Sequence, residues 1–241
     1  MMLNFNYNGH ATVTHSFILM GNFGFPPATA SSLTMNEVVE VGSDVGVYDP
    51  VDYLGLLINL HRSKFTLPMD LILDIFQFAN IVPRIRSERS DLSSYSDNCD
   101  AVYMSSKTIL ILRHFVPTSI YFEVESRDQG WSSYPEDQGK RNSCTWIEAS
   151  LSETDATSIP RCHLFTNIHA GQDFEFQQVR CDAQSGLLVR DMTARADNGE
   201  FPLTIRIHAR SRYPGWRICI RRAAVEIELS LRPNWKHIFL Q

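Results

Sequence analysis

The side chains in this 241-residue sequence best suited to recognition chemistry fall in two Gly-Trp segments. The first runs Ser126-Arg127-Asp128-Gln129-Gly130-Trp131-Ser132-Ser133-Tyr134-Pro135-Glu136-Asp137; the second runs Arg210-Ser211-Arg212-Tyr213-Pro214-Gly215-Trp216. Flat indoles stack on sugar rings or on the Pro, Arg and aromatic groups of a peptide, and a glycine beside each indole permits close backbone approach. Asp128 supplies acceptors, Gln129 supplies both donor and acceptor, and Arg210 supplies charge. The predicted ligand-binding set is therefore Asp128, Gln129, Trp131, Tyr134, Arg210, Tyr213 and Trp216. The same residues also fit packing roles, with the indoles as core plugs and Asp128 closing an Asx turn before Gly130.

Reaction chemistry finds less support. Glu136 and Asp137 are adjacent on a turn-forming stretch, and adjacency does not make an acid/base pair. His169 has no evident nucleophile partner, and Cys162-His163 lacks further ligands at metal-site spacing. There is no Gly-x-Ser-x-Gly, phosphate loop or His-Glu-x-x-His. The sequence predicts a non-enzymatic protein with no cofactor and no metal. From Phe201 to Val225 there is no acid, but Arg206, Arg210, Arg212, Arg217, Arg221 and Arg222 occur. Such a tract fits phosphate or an acidic peptide, or a solvated sheet face paired with Glu226 and Glu228.

A net charge of −5 argues against a dedicated nucleic-acid binder. Five cysteines, an odd number with no Cys-x-x-Cys, argue against a disulfide framework or zinc ribbon. Reduced thiols predict a cytoplasmic or nuclear protein. No Asp, Glu, Lys or Arg precedes Glu37, unlike a signal peptide or presequence, and no apolar run reaches the ~20 residues of a membrane span.

The elements that must position these side chains follow from periodicity. Residues 1–60 predict a poorly structured extension, punctuated by Asn, Gly, Ser and Pro26-Pro27, with a short helix over Tyr53 to Leu60. Residues 66–81 predict a helix, with Thr66 as N-cap, Pro68 in the first turn, an apolar stripe of Leu67, Leu71, Ile75 and Phe78, and Pro83 as its stop. Residues 84–107, rich in Ser, Asp, Arg and Asn, predict a linker or mobile loop. After residue 108 the period becomes two: Ile120, Phe122 and Val124, then Leu203, Ile205, Ile207 and Ala209, then Val225, Ile227, Leu229 and Leu231 alternate with polar residues. Weaker strands are predicted at 109–115, 145–151, 161–167, 174–181 and 187–190. The fold class is mainly β, an antiparallel, jelly-roll-like β-sandwich over 108–232 preceded by a short helix, with a tail at 233–241.

Two resemblances add to this. Leu67-Pro68-Met69-Asp70-Leu71-Ile72-Leu73-Asp74-Ile75-Phe76 resembles the opening of an F-box. That resemblance implies docking of Leu67, Pro68, Leu71, Ile75 and Phe76 on a Skp-type adaptor of a ubiquitin ligase. Ser126 to Asp137, Ser143-Cys144-Thr145-Trp146-Ile147-Glu148, Asn167-Ile168-His169-Ala170-Gly171-Gln172-Asp173-Phe174 and Ala209 to Trp216 are similar to a group of filamentous-fungal proteins. The chain departs from that group at Gln138-Gly139-Lys140, Cys144 and Ile147. The likeness implies a binding module, not a reaction. The expected function is recognition of a protein target as a ligase receptor, or of a carbohydrate or small ligand with no ligase role.

Overall fold

The computed structural model describes residues 47–62, 68–79, 81–107, 109, 115–152, 161–183, 186–198 and 203–232. The chain divides into two units, residues 1–47 and 48–241; of the first, only Val47 is described. The elements are β1 (Val47–Tyr48), α1 (Pro50–Arg62), α2 (Met69–Phe78), β2 (Val82–Arg89), β3 (Ser93–Ser96), β4 (Asp100–Ser105) and β5 (Phe115–Arg127). They continue with β6 (Thr145–Ser152), β7 (Arg161–Thr166), β8 (Glu175–Asp182), α3 (Leu187–Asp197), β9 (Thr204–Ser211) and β10 (Arg217–Leu231).

The strands form two antiparallel sheets. One has the order β2-β10-β5-β8, with β3 also on β10; the other has the order β4-β9-β6-β7. Counting only the eight longest strands along the chain, the sheets read 1-8-3-6 and 2-7-4-5. That is the strand order of a jelly roll, two Greek keys folded into a sandwich.

The two-residue period dictates which side chains meet between the sheets. Ile120, Phe122 and Val124 of β5 lie beside Ile227, Val225 and Ala223 of β10 on one inner face. Ile147, Ala149 and Leu151 of β6 lie beside Ala209, Ile207 and Ile205 of β9 on the other. Each large side chain among them contributes roughly 1.5–3 kcal/mol by leaving water. The outer face of the first sheet is an ion-pair ladder: Arg84 reaches Glu226 and Glu228 at 3.3 and 3.2 Å, and Arg86 reaches Glu123 at 2.7 Å.

Several expectations change. The stretch 84–107 is not a linker: most of β2 and all of β3 and β4 lie within it, so the sandwich begins near residue 82. Its charges mask the pattern, because Arg84, Arg86 and Glu88 point outward and are matched by acids and bases on neighbouring strands. The inward positions are Pro83, Ile85 and Ser87, followed by Arg89, whose guanidinium lies 4.6 Å from the Tyr103 ring centroid. Pro83 lies in β2, and helix α2 already ends at Phe78. The predicted short helix over Tyr53–Leu60 is α1, and Tyr53 and Leu57 are buried in the core, so residues 50–60 belong to the folded body. The predicted strand at 187–190 is the start of α3, whose buried Leu188, Val189 and Met192 follow helical spacing. In the predicted strand at 109–115, Ile109 makes an isolated bridge to Leu203, and β5 starts at Phe115. Thr66, Leu67, the tail at 233–241 and all of 1–46 lie outside the described residues.

Helix α2 has two apolar faces. Ile72 and Phe76 are buried, with Phe76 edge-on to Tyr53 at 5.3 Å between centroids. Leu71 and Phe78, 40% and 73% exposed, stand on the other. We predict that Phe122→Ala lowers unfolding free energy by about 3–5 kcal/mol. Phe78→Ala should stay within about 0.5 kcal/mol of wild type. Urea unfolding measures both, and equal losses would contradict this assignment of layers.

Candidate functional site

In the jelly roll, the ends of β5, β7 and β9 and the starts of β4, β6, β8 and β10 lie at one end of the sandwich. The connections there are residues 97–99, 128–144, 167–174 and 212–216. The topology thus gathers at one end the two Gly-Trp segments and the Asn167 to Phe174 segment.

At this end the inward positions change from apolar to hydroxyl. Ser126, Thr145 and Ser211 continue the inner faces of β5, β6 and β9, and all three are buried. They join Asp128, Ser143, Asn167 and His169 in a buried polar belt. Asp128 is its centre and has no exposed surface. Its carboxylate accepts from Gln129 N–H at 2.8 Å, Ser143 Oγ at 2.8 Å, Ala170 N–H at 3.0 Å and Thr145 Oγ1 at 3.4 Å. Asp128 therefore does not form the expected Asx turn and does not face a ligand. It binds two connections, 128–144 and 167–174, to each other and to the start of β6. Ala170 is held at φ 56°, a conformation that costs an alanine energy, by that bond to Asp128. Asn167 extends the belt, accepting from Ser126 Oγ at 2.7 Å and donating to Thr145 Oγ1 at 3.0 Å.

The two Gly-Trp segments meet. Gln129 donates from Nε2 to the Trp131 carbonyl at 2.8 Å, and its Oε1 accepts from Arg217 N–H at 3.1 Å. Gln129 is thus a clamp between the loops, with both ends of its amide engaged. His169, also buried, lies 2.6 Å from Ser132 Oγ through Nε2 and meets the Trp216 ring edge-on at 5.1 Å between centroids. Gly130 is needed at φ 89°, where a Cβ would also stand 3.2 Å from the Gln172 side chain. Gln172 in turn donates to the Gly130 carbonyl at 3.2 Å.

The aromatic groups divide accordingly. Trp131, Tyr134 and Tyr213 are 62%, 57% and 47% exposed. Trp216 is half-buried against His169 and serves packing as much as presentation.

Arg210 belongs to a cluster on the outer face of the second sheet. It pairs with Asp100 and with Glu148, and its guanidinium lies 5.5 Å over the Trp146 ring. Trp146 donates its indole N–H to Glu148 at 2.7 Å, and Arg161 joins Asp100 at 2.7 Å. Burial alone would raise the Asp100 pKa, but hydrogen bonds from Arg161 and Arg210 outweigh it and hold the carboxyl at about 2. The arginine tract is not one patch: Arg206 and Arg210 are on β9, whereas Arg217, Arg221 and Arg222 are on β10 in the other sheet.

The cluster contains an arrangement that no spacing in the sequence signals. Ser150 Oγ is 2.8 Å from His208 Nε2, and His208 Nδ1 is 3.6 Å from Asp100. Burial first, then Arg161, lowers the His208 pKa and favours the neutral ring. The order Ser–His–Asp is that of a hydrolase relay. However, Ser150 is 1% exposed and sits on β6, a strand paired on both sides. The hydroxyl is buried, and its contact with His208 forms a polar tie between β6 and β9. The signal available in the sequence was polar residues at alternating positions of β6 and β9, which could also be a solvated face.

Of the residues expected to bind an adaptor, Phe76 faces the core, Ile75 is half-buried, Pro68 and Leu71 are exposed, and Leu67 lies outside the described residues.

Replacing Asp128 with alanine strands several buried donors, and Asp128→Ala should cost about 2–4 kcal/mol in urea unfolding. An effect as small as that expected of a surface substitution would contradict its central position. Asp100 has a pKa depressed from 3.8 to about 2, so its contribution to stability is complete above about pH 4 and is lost as pH falls toward 2. Asp100→Asn should flatten that part of the acid limb of a stability–pH curve; an unaltered limb would count against the cluster.

No family model and no curated protein matches the chain. Among solved structures, it is similar to the infectious bursal disease virus VP2 subviral particle, at 8% identity and a TM-score of 0.25, over 64% of this chain and 44% of that one. A second is Desmodium yellow mottle tymovirus, at 9% identity and a TM-score of 0.19, over 62% of this chain and 92% of that one. The chain thus spans less than half of the VP2 chain that it matches. At these scores the likeness carries no functional meaning, and the fold rests on the strand order.

Proposed function

We propose that the chain is a non-enzymatic recognition module that holds a protein target on the aromatic loops at one end of its jelly roll. The observation that carries this reading is Trp131. Trp131 is 62% exposed, although its loop is tied through Asp128 to Ser143 and Ala170, through Gln129 to Arg217 and through Gly130 to Gln172. A loop pinned on both sides of an exposed indole presents it without the cost of ordering on binding. Trp and Tyr anchors of this kind dominate binding energy where they are covered by a partner. Tyr134 and Tyr213 extend the surface, and Gln129, Asp128 and Trp216 support it. Five unpaired thiols fit a reducing compartment, the cytoplasm or nucleus. No helix among the described residues is long and apolar enough to cross a membrane.

A second component concerns α2. Leu71, Ile75 and Phe78 share a helical face by their spacing, and Leu71 and Phe78 are exposed. This supports docking of a Skp-type adaptor by helix-in-groove burial, with Phe78 taking the place expected for the buried Phe76.

Affinity purification from native lysate tests both parts. Trp131→Ala, with folding checked, should reduce target capture by about 2 kcal/mol in affinity, some thirtyfold. Phe78→Asp should abolish recovery of a Skp-type adaptor and leave the target bound. Undiminished target capture by Trp131→Ala would overturn the protein-recognition reading. Saturable binding on a glycan panel that Trp131→Ala removes would instead favour a carbohydrate module. Adaptor recovery unaffected by Phe78→Asp would overturn the ligase part alone.

A further inference from the structure

A shallow cleft of about 520 Å³ opens beside the aromatic loops, between the start of β6, the end of β9 and the turn before β4. Its volume is in the range of ligand sites. Asn98, Asn142, Trp146, Arg210, Ser211 and Arg212 contribute to its walls, and no aspartate or glutamate lines it. The two arginines differ. Arg210 is fixed over Trp146, with its charge matched by Asp100 and Glu148. Arg212 makes no ion pair among the described residues; it is exposed, and its guanidinium rests 5.4 Å from the Tyr213 ring centroid. Its backbone is nonetheless anchored, since Arg212 N–H donates to the Cys144 carbonyl at 3.0 Å. The Asn98 amide, in a turn at φ 57°, lies at the same cleft.

A fixed backbone carrying an unmatched guanidinium, in a cleft lined by no acid and walled by an indole, favours an oxyanion that offers two oxygens. Arginine binds such groups in a two-pronged geometry. Tyr213 joins this cleft to the aromatic surface, because Arg212 rests on its ring.

We infer that this cleft binds an oxyanion carried by the target, an Asp or Glu carboxylate or a phosphate, with Arg212 as its principal donor. The inference rests on the recognition reading above and names the charge of the target that Trp131 holds. The complete protein, labelled with ¹⁵N, is titrated separately with glutarate and inorganic phosphate, against chloride at matched ionic strength. Saturable shifts at the Trp146 indole N–H and Arg212 are expected for at least one oxyanion, and the tighter of the two names the source. Arg212→Glu should weaken that binding by roughly tenfold or more, Arg212→Lys should retain part of it, and Leu187→Ala, on α3, should leave it unchanged. Shifts that chloride reproduces, or that survive Arg212→Glu, would overturn the cleft. Target capture that Trp131→Ala weakens but Arg212→Glu does not would overturn the cleft and leave recognition standing. Oxyanion binding without any Trp131-dependent capture would do the reverse.

Discussion

One buried carboxylate organises the functional end of this molecule. Asp128 sits where β5 leaves its sheet, and its oxygens collect donors from the connection before β6 and from the one before β8. A carboxylate without exposure is tolerable only when its acceptors are filled, and here the bonds that fill them also set loop positions. The left-handed Ala170, the placement of His169 and the path of the chain into Gly130 all follow from that requirement. The exposed Trp131 is therefore carried on a loop hydrogen-bonded to its neighbours on either side.

The jelly roll explains why residues so far apart in the chain take part together. Connections that follow β5, β7 and β9 return to the same end because each sheet alternates strand direction. Between the sheets, apolar side chains meet as far as Val124, Ile147 and Ala209; one step further along each strand, Ser126, Thr145 and Ser211 replace them. The core thus changes from a hydrophobic layer to a hydrogen-bonded one where the loops must be held in defined positions. Ion pairs on the outer faces serve another purpose, matching charges across strands at little cost in exposed surface.

The central strands were legible because their inner and outer faces differ in type: Ile120, Phe122 and Val124 against Tyr121, Glu123 and Glu125. Strand β2 was not, because a proline, an isoleucine, a serine and an arginine make its inner face, and most of its outer charges are matched by partners far along the chain. Helix α3 was misread at Leu187-Leu188-Val189, a run that fits a strand until Met192 is seen to share the buried face. At the site, the Gly-Trp loops stood out by residue type. The roles of Asp128 and Gln129 did not, since one has its oxygens turned inward and the other bridges two loops 88 residues apart. Separation in sequence hides such bonds; strand order reveals them.

The central claim is that the end bearing Trp131 contacts the protein target. Photocrosslinking in native lysate, from a photoreactive phenylalanine analogue placed at position 131 and, separately, at position 187 on exposed α3, tests it most directly. The account predicts a discrete crosslinked target from position 131, displaced by excess unlabelled wild-type protein, and no crosslink to that target from position 187. No displaceable crosslink from 131, or the same products from both positions, would contradict it.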